Sequence, residues 1–230
     1  MSQPGIDDKR RQISTAVAAA VMAQGGASVF LQQTFAEQGP PAQGIRRMSG
    51  TVFVNGKAAK KSDPVAAGDI VSTGPHSYAV FVVGEDAFLA RGDSKVELGG
   101  SALLVNALRL VSGKLLSVFA PHQGNRTIQS ATATIGIRGT GAYMEAEPDR
   151  SYFCLCYGEA EIIPIARPAA KVLLRTTHHD SPRYILGGGA TENPIQDAKI
   201  ENHQDAELIL LESLVGREPP FMQRSDNKRD

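Results

Sequence analysis

Short runs of alternating hydrophobic and polar residues dominate the chain between residues 46 and 186. In the clearest run, from Ala131 to Arg138, alanine and isoleucine occupy one face while threonine, glycine and arginine occupy the other. This period of two is typical of a strand with one buried face. Asn55-Gly56, between two such runs, is a strong signal for a tight hairpin turn. We therefore predict an all-β domain over 46–186, an antiparallel β sandwich or β roll of about 9–12 short strands.

The N-terminal segment, residues 1–36, has a different pattern. The basic cluster Lys9-Arg10-Arg11 precedes a stretch from Gln12 to Ala36 that contains no charged residue. This order is typical of a signal peptide, and Arg10-Arg11 is similar to a twin-arginine export signal. The uncharged stretch also has the length of an uncleaved membrane anchor. We expect a periplasmic or otherwise exported protein, in which this segment is either cleaved or retained in the inner membrane.

The C-terminal part contains a predicted helix. Residues 187–221 form a glycine-rich linker followed by a helix from His203 to Val215, for which Asn202 has the typical N-cap chemistry. Leucines recur at helical spacing within it, which predicts that one face packs on the β domain. The polar residues 222–230 are predicted to be a disordered tail.

Composition narrows the choice of partners. The chain has 24 Lys+Arg and 24 Asp+Glu, so its formal charge is zero. Nucleic acid, or an anionic membrane surface, would require a basic excess, so we expect neither as the main partner. A membrane contact would come only through an uncleaved N-terminal segment. None of the common hydrolase or metalloprotease motifs occurs, and we expect a protein that is not an enzyme.

Three stretches are similar to the periplasmic domain of FecR-type regulators. They are Gly50-Thr51-Val52-Phe53-Val54-Asn55-Gly56, then Gly68-Asp69-Ile70-Val71-Ser72-Thr73-Gly74 with Ser77, and the strand ending in Ile137-Arg138-Gly139-Thr140. The resemblance covers roughly residues 46–165 and implies an all-β periplasmic module. In founding members this module senses a loaded outer-membrane transporter and signals to a cytoplasmic anti-sigma segment. Here only residues 1–11 precede the uncharged stretch, so we expect an exported FecR-type domain without that segment. It would bind an envelope protein or a small ligand and act in signalling.

Cys154 and Cys156 are the residues with the most distinctive chemistry. They lie in a run, Ser151 to Ile163, that is apolar on both faces and therefore typical of a central strand. Residues two apart on a strand share a face, with Cα atoms about 6.6 Å apart, at the outer edge of the range for a disulfide. His178 and His179 follow at the end of a later predicted strand. If that strand neighbours the cysteine strand, Cys154, Cys156, His178 and His179 could bind zinc or copper.

Other interpretations of the cysteines remain open from the sequence. Free cysteines are among the most buried residues, so the pair could simply be core thiols, or form a strained disulfide. His178 and His179 would point to opposite faces of an extended chain, so one of them at most would share the cysteine side. A metal-binding or redox protein is therefore the alternative to the FecR-type binding module.

Overall fold

The computed structural model describes residues 42–122, 124–188 and 192–223. The predicted N-terminal leader and the tail from 224 lie outside these residues. Within them the chain forms fourteen strands, one short 3-10 helix (Pro168–Ala170) and two α-helices. The strands are β1 (Gly44–Ser49), β2 (Val52–Val54), β3 (Lys57–Ala58), β4 (Ile70–Thr73), β5 (Tyr78–Val83), β6 (Asp86–Ala90), β7 (Lys95–Ser101), β8 (Leu104–Val118), β9 (Arg126–Gln129), β10 (Ala133–Ala146), β11 (Arg150–Pro164), β12 (Val172–Thr176), β13 (Arg183–Leu186) and β14 (Ile195–Asp197). The helices are α1 (Asp205–Leu214) and α2 (Pro220–Gln223).

The all-β class predicted from the alternating runs is confirmed. The strands form one continuous hydrogen-bonded sheet whose main path is β14-β13-β11-β10-β9-β8-β7-β4-β2-β3, with β1, β5, β6 and β12 paired beside it. All pairings are antiparallel except that of β8 with β9. The strands outnumber the expected nine to twelve because several very short ones, such as two-residue β3, give too little alternation to be recognised.

The long strands β8, β10 and β11 each change partners along their length. The change along β11 positions the candidate site. In β11, residues 150–153 pair with β13, whereas residues 158–162 pair with β12. Its other edge pairs with β10. Because β12 and β13 pair with different halves of β11, the loop 177–182 that joins them must cross the middle of β11.

The core is formed by buried hydrophobic side chains of these strands. Its stacked rings include Phe81 and Phe88, with centroids 5.0 Å apart, and Phe119 meets Phe88 edge-on at 5.6 Å. Ala133, Ile135 and Ile137 are buried while Arg138 is exposed, which confirms the predicted alternation from Ala133 onward. It does not hold before β10 begins, where Ala131 is exposed and Thr132 is buried.

The motif residues that carry the FecR-type resemblance interlock two turns. The Thr51 amide donates to the Ser77 hydroxyl at 2.9 Å, and the Gly74 amide donates to the Thr51 carbonyl at 2.9 Å. Gly50 has a φ of +71°, and a Cβ there would lie 2.3 Å from the Ser77 hydroxyl oxygen. These residues are therefore needed for backbone geometry and close packing.

The C-terminal helix forms, but it begins later than predicted. Gln204, not Asn202, is its N-cap, and Gln204 and Glu207 form a reciprocal capping box. Asn202 has a φ of +56° and donates its side-chain amide to Glu145. Buried leucines pack α1 against β6 and β8, as its spacing predicted. Within the described residues no helix combines the length and apolar character that crossing a bilayer requires.

Candidate metal centre

Cys154 and Cys156 lie at the point where β11 is bulged. Ala142 of β10 pairs with Leu155 and Gly141 pairs with Tyr157, so Cys156 is the extra residue on its strand. A bulge increases the local twist and re-aims the side chains beside it. Both cysteines are fully buried, and neither forms a disulfide. The interpretation as a disulfide is therefore not realised in this structure.

The loop between β12 and β13 brings His179 to the cysteines. The His179 amide donates to the Cys156 carbonyl at 3.0 Å, which fixes the loop directly over the bulge. His179 adopts a φ of +49°, so the chain turns sharply there. Its Nδ1 atom lies 3.6 Å from Cys154 Sγ. This is the strand proximity on which the sequence-based metal hypothesis depended.

A third segment, just before α1, contributes His203. The Tyr152 hydroxyl donates to the Lys199 carbonyl at 3.0 Å and accepts from the Glu201 amide at 3.1 Å, which holds this segment against β11. The His203 ring then stacks on Tyr143, with centroids 4.5 Å apart and planes inclined by 18°. Tyr143 is opposite Cys154 in the β10–β11 pair, so stacking on it places His203 beside the cysteines.

Glu145 and Arg91 fix the same segment from the β10 side. Glu145 accepts hydrogen bonds from the Tyr143 hydroxyl and from the Asn202 amide, each at 2.7 Å. Arg91 donates to the Asn202 carbonyl at 2.7 Å and pairs with Glu207 of α1 at 2.8 Å. The position of His203 is therefore determined by polar contacts on both sides of the turn that precedes α1.

Four ligand atoms converge at this place. One atom from each of Cys154, Cys156, His179 and His203 lies within 4.8 Å of all the others, and all four residues are buried. His179 Nδ1 and His203 Nε2 are 3.0 Å apart. We call these four residues the CCHH cluster.

The remaining ring nitrogens of both histidines face oxygen acceptors. His179 Nε2 is 3.0 Å from Asp205 Oδ1, and His203 Nδ1 is 2.6 Å from the Glu201 carbonyl. A carbonyl or carboxylate oxygen can accept only from an N–H, so these contacts favour the proton at His179 Nε2 and at His203 Nδ1. In these tautomers, both nitrogens that face the thiols carry a lone pair.

The cluster also favours negative charge at sulfur. The hydrogen bond from Cys156, supported by contacts with His179 and His203, lowers the pKa of Cys154 to about 4. Burial raises the pKa of Cys156. For His179, burial lowers the pKa, but the hydrogen bond and the charge of Cys154 outweigh it, so that its pKa is raised overall. The raised pKa of His179 means that, without a metal ion, its ring holds a proton beside the Cys154 thiolate. A metal ion that displaces this proton would meet the thiolate and the lone pairs of both rings.

The structure thus brings together three of the four ligands proposed from the sequence. Cys154, Cys156 and His179 share the CCHH cluster, whereas His178 is exposed and lies in a second group with His179 and Asp205. Sequence reasoning missed His203. One signal was available, because the chain has five histidines. His76 and His122 stand beside proline and are indeed exposed, which left His203 as the remaining candidate.

Comparison with known proteins gives a partial likeness of fold. No family model matches the chain, and no curated protein sequence matches it significantly. Two crystal structures of a candidate anti-sigma factor from Parabacteroides distasonis, at 1.65 and 2.50 Å resolution, are similar to it with 9% identity and a TM-score of 0.46. Each match covers 56% of this chain and 59% of that protein. A likeness at this level bears on neither ligand nor partner, and the chain spans well under two thirds of the protein that it matches.

Proposed function

We propose that this β domain binds one zinc ion through Cys154, Cys156, His179 and His203. The observation that carries the proposal is the arrangement of the two imidazoles. Each ring directs one nitrogen at an oxygen acceptor and the other at the buried thiols. Two lone-pair nitrogens 3.0 Å apart repel each other unless a proton or a metal ion lies between them. A metal ion has the advantage that all four ligands can share it.

Two of the spacings among the ligand atoms agree with a tetrahedral site, and the others lie within 4.8 Å. With zinc bonds of 2.0–2.1 Å to nitrogen and 2.3 Å to sulfur, a tetrahedron has edges of about 3.3 Å between nitrogens and about 3.6 Å between nitrogen and sulfur. The observed separations are 3.0 Å for His179 Nδ1 to His203 Nε2 and 3.6 Å for His179 Nδ1 to Cys154 Sγ. Ion binding would therefore need movements of only a few tenths of an ångström at these atoms.

The contacts behind the ligands have the form found around protein metal sites. A ligating histidine commonly donates its other ring N–H to a carboxylate or a backbone carbonyl, which fixes the tautomer and the ring orientation. Asp205 provides the carboxylate for His179, and Glu201 provides the carbonyl for His203.

Charge and ligand type favour zinc. Two thiolates neutralise a divalent cation, so the loaded cluster would carry no net charge in its buried environment. Sulfur and imidazole ligands exclude magnesium and calcium, which bind oxygen. Copper has similar ligand preferences and is the other candidate, but a closed tetrahedral set of four protein ligands is typical of structural zinc. With four protein ligands the ion has no open position, so its role would be to fix β11, the 177–182 loop and the α1 segment to one another.

The test is metal analysis of the untagged chain. We expect about one equivalent of zinc per chain after purification without chelators, as a single closed site requires. Cobalt substituted for zinc should give the intense near-ultraviolet absorption of thiolate-to-cobalt charge transfer. His203→Gln should lose most of the metal, because it removes one of the four ligands.

His122→Gln is the matched control, because His122 is an exposed histidine in a turn and belongs to neither histidine group. It should retain the full metal content. A wild-type chain that contains no metal and gives no thiolate charge-transfer band with cobalt would refute the proposal. Copper found in place of zinc would correct the identity of the ion.

A second candidate function is that of an exported FecR-type module that binds a ligand or partner in the cell envelope. Its support is the interlocked packing of Gly50, Thr51, Gly74 and Ser77, which brings two of the three similar stretches together at one place. A reporter fused to the carboxyl end should be exported together with the chain, and a cytosolic reporter would refute this candidate. Pull-down from an envelope extract would then identify the partner.

A further inference from the structure

A half-exposed pair of side chains borders the buried cluster. His178 is 48% exposed and Asp205 is 46% exposed. The ligands of the CCHH cluster, in contrast, are at most 7% exposed. His178 Nε2 lies 2.9 Å from each carboxylate oxygen of Asp205. We call His178 and Asp205 the rim pair.

The rim pair is connected directly to the buried cluster through His179. Asp205 Oδ1 contacts Nε2 of His179, whose Nδ1 belongs to the CCHH cluster. His179 therefore has one nitrogen on each side of the boundary between solvent and core. Its ring also lies against that of His178, with centroids 4.9 Å apart.

The rim pair has the ligand chemistry of a divalent transition metal but an incomplete coordination set. His178 Nε2 and the Asp205 carboxylate are its two ligand groups, and His179 Nε2 lies within 4.8 Å of both but carries the proton that it donates to Asp205. These donors bind zinc-like ions at about 2.0–2.2 Å. Water would fill the remaining positions, which makes such a site weaker and faster in exchange than the closed cluster.

An ion that enters at the rim pair must lose its water shell and pass the ring of His179 to reach the buried thiols. We propose that His178 and Asp205 form an entry site that captures the divalent ion and passes it to the CCHH cluster, an inference that rests on the proposed zinc binding. The carboxylate of Asp205 attracts the hydrated cation. The ring proton of His178 moves through solvent from Nε2, where it faces Asp205, to Nδ1, and the freed Nε2 lone pair replaces one of the waters of the ion. Rotation of His179 then opens the path to Cys154 and Cys156. Any protons displaced from the cysteine thiols leave to solvent, and no oxidation state changes.

The packing around His178 fits this role. Phe221 of α2 lies over the His178 ring with centroids 4.6 Å apart, so the ring is held in place although half of the side chain is exposed. His178 is also outside the CCHH cluster. Its removal should therefore slow the loading of the cluster without changing its final affinity.

The experiment is rapid mixing of the metal-free full-length chain with cobalt, followed through the thiolate-to-cobalt absorption. That band appears only when the ion reaches the cysteines. For His178→Gln we expect the loading rate at low cobalt concentration to fall at least fivefold, while the final absorbance and the Kd remain within twofold of wild type. His122→Gln, at an exposed histidine that belongs to neither histidine group, should load at the wild-type rate.

The possible outcomes distinguish the entry site from the metal site itself. An unchanged loading rate for His178→Gln would overturn the entry site, and His178 would then be only a partner of the first turn of α1. A weaker final affinity would also overturn it, because His178 would then be a ligand of the bound ion. Absence of the band in the wild-type chain would refute the proposed zinc binding, a result that differs from both.

Discussion

Two regions of this molecule differ in whether a sequence motif marks them. The turns around Gly50, Thr51 and Ser77 are recognisable in the sequence, and their close contacts use glycine and one short hydroxyl side chain. The CCHH cluster has no continuous motif and joins side chains from β11, the 177–182 loop and the segment before α1. The residues that are easiest to recognise in the sequence therefore fix the backbone geometry of two turns. The reactive side chains, in contrast, come from distant parts of the chain. Substitutions in the two regions should have separable effects on stability and on metal affinity.

The largest effect should come from Cys156→Ser. Serine oxygen replaces a thiolate ligand, and we expect the zinc Kd to rise at least 100-fold, or about 2.7 kcal/mol. Competition with a chromophoric chelator measures it. The unfolding free energy of the metal-free protein should change little in comparison, since serine is close in size to cysteine. A Kd within threefold of wild type would remove Cys156 from the site.

Gly50→Ala should lower the stability of the fold and leave the zinc affinity unchanged. The new Cβ would overlap the Ser77 hydroxyl, and the positive φ adds its own cost, so we expect a loss of about 2–4 kcal/mol in the free energy of unfolding. Urea denaturation of the metal-free chain measures it. The zinc Kd of the folded fraction should stay within twofold of wild type.

Gly56→Ala is the matched control for Gly50→Ala. Gly56 also has a positive φ, +75°, but a Cβ there meets nothing within 4 Å. Its cost should be that of the left-handed backbone alone, about 1–2 kcal/mol. Equal losses for the two variants would mean that the packing against Ser77 is unimportant.

Asp205→Asn tests the carboxylate behind His179. The neutral amide is a weaker acceptor for the Nε2–H of His179, and loss of such an outer contact typically weakens metal binding by about 10-fold or more. Isothermal titration with zinc measures the change. Asp149→Asn makes the same change at an exposed carboxylate that belongs to neither histidine group, and it should leave the zinc Kd unchanged.

Ser77→Ala should have the smallest effect. It removes the acceptor of the Thr51 amide, which costs about 1 kcal/mol in the free energy of unfolding. The change should appear in urea denaturation and not in zinc affinity. Ser101→Ala, at an exposed position, should lie within about 0.5 kcal/mol of wild type. Weakened zinc binding in Ser77→Ala would show that the two regions are coupled.

Much of the fold could be predicted because its signals are local. The alternation in Ala131 to Arg138 and the apolar run from Ser151 to Ile163 both became strands, β10 and β11. Helix α1 begins later than predicted because Asn202 does not cap it. The side-chain amide of Asn202 instead donates to Glu145 of β10. Short strands such as β3 exist only through their partners, and two residues carry no period of their own.

The sequence by itself determined that this chain is a β protein with two buried cysteines on one strand. Strand periodicity and burial could be predicted because both depend on the pattern of neighbouring residues. Only the tertiary structure decided which histidines meet those cysteines. The change of partner along β11 brings His179 across the bulge, and polar contacts of Tyr152, Glu145 and Arg91 bring His203. His203 is 24 residues from His179 along the chain, yet 3.0 Å separates their ring nitrogens. Such proximity depends on strand pairing between distant segments, which no local pattern of residues encodes.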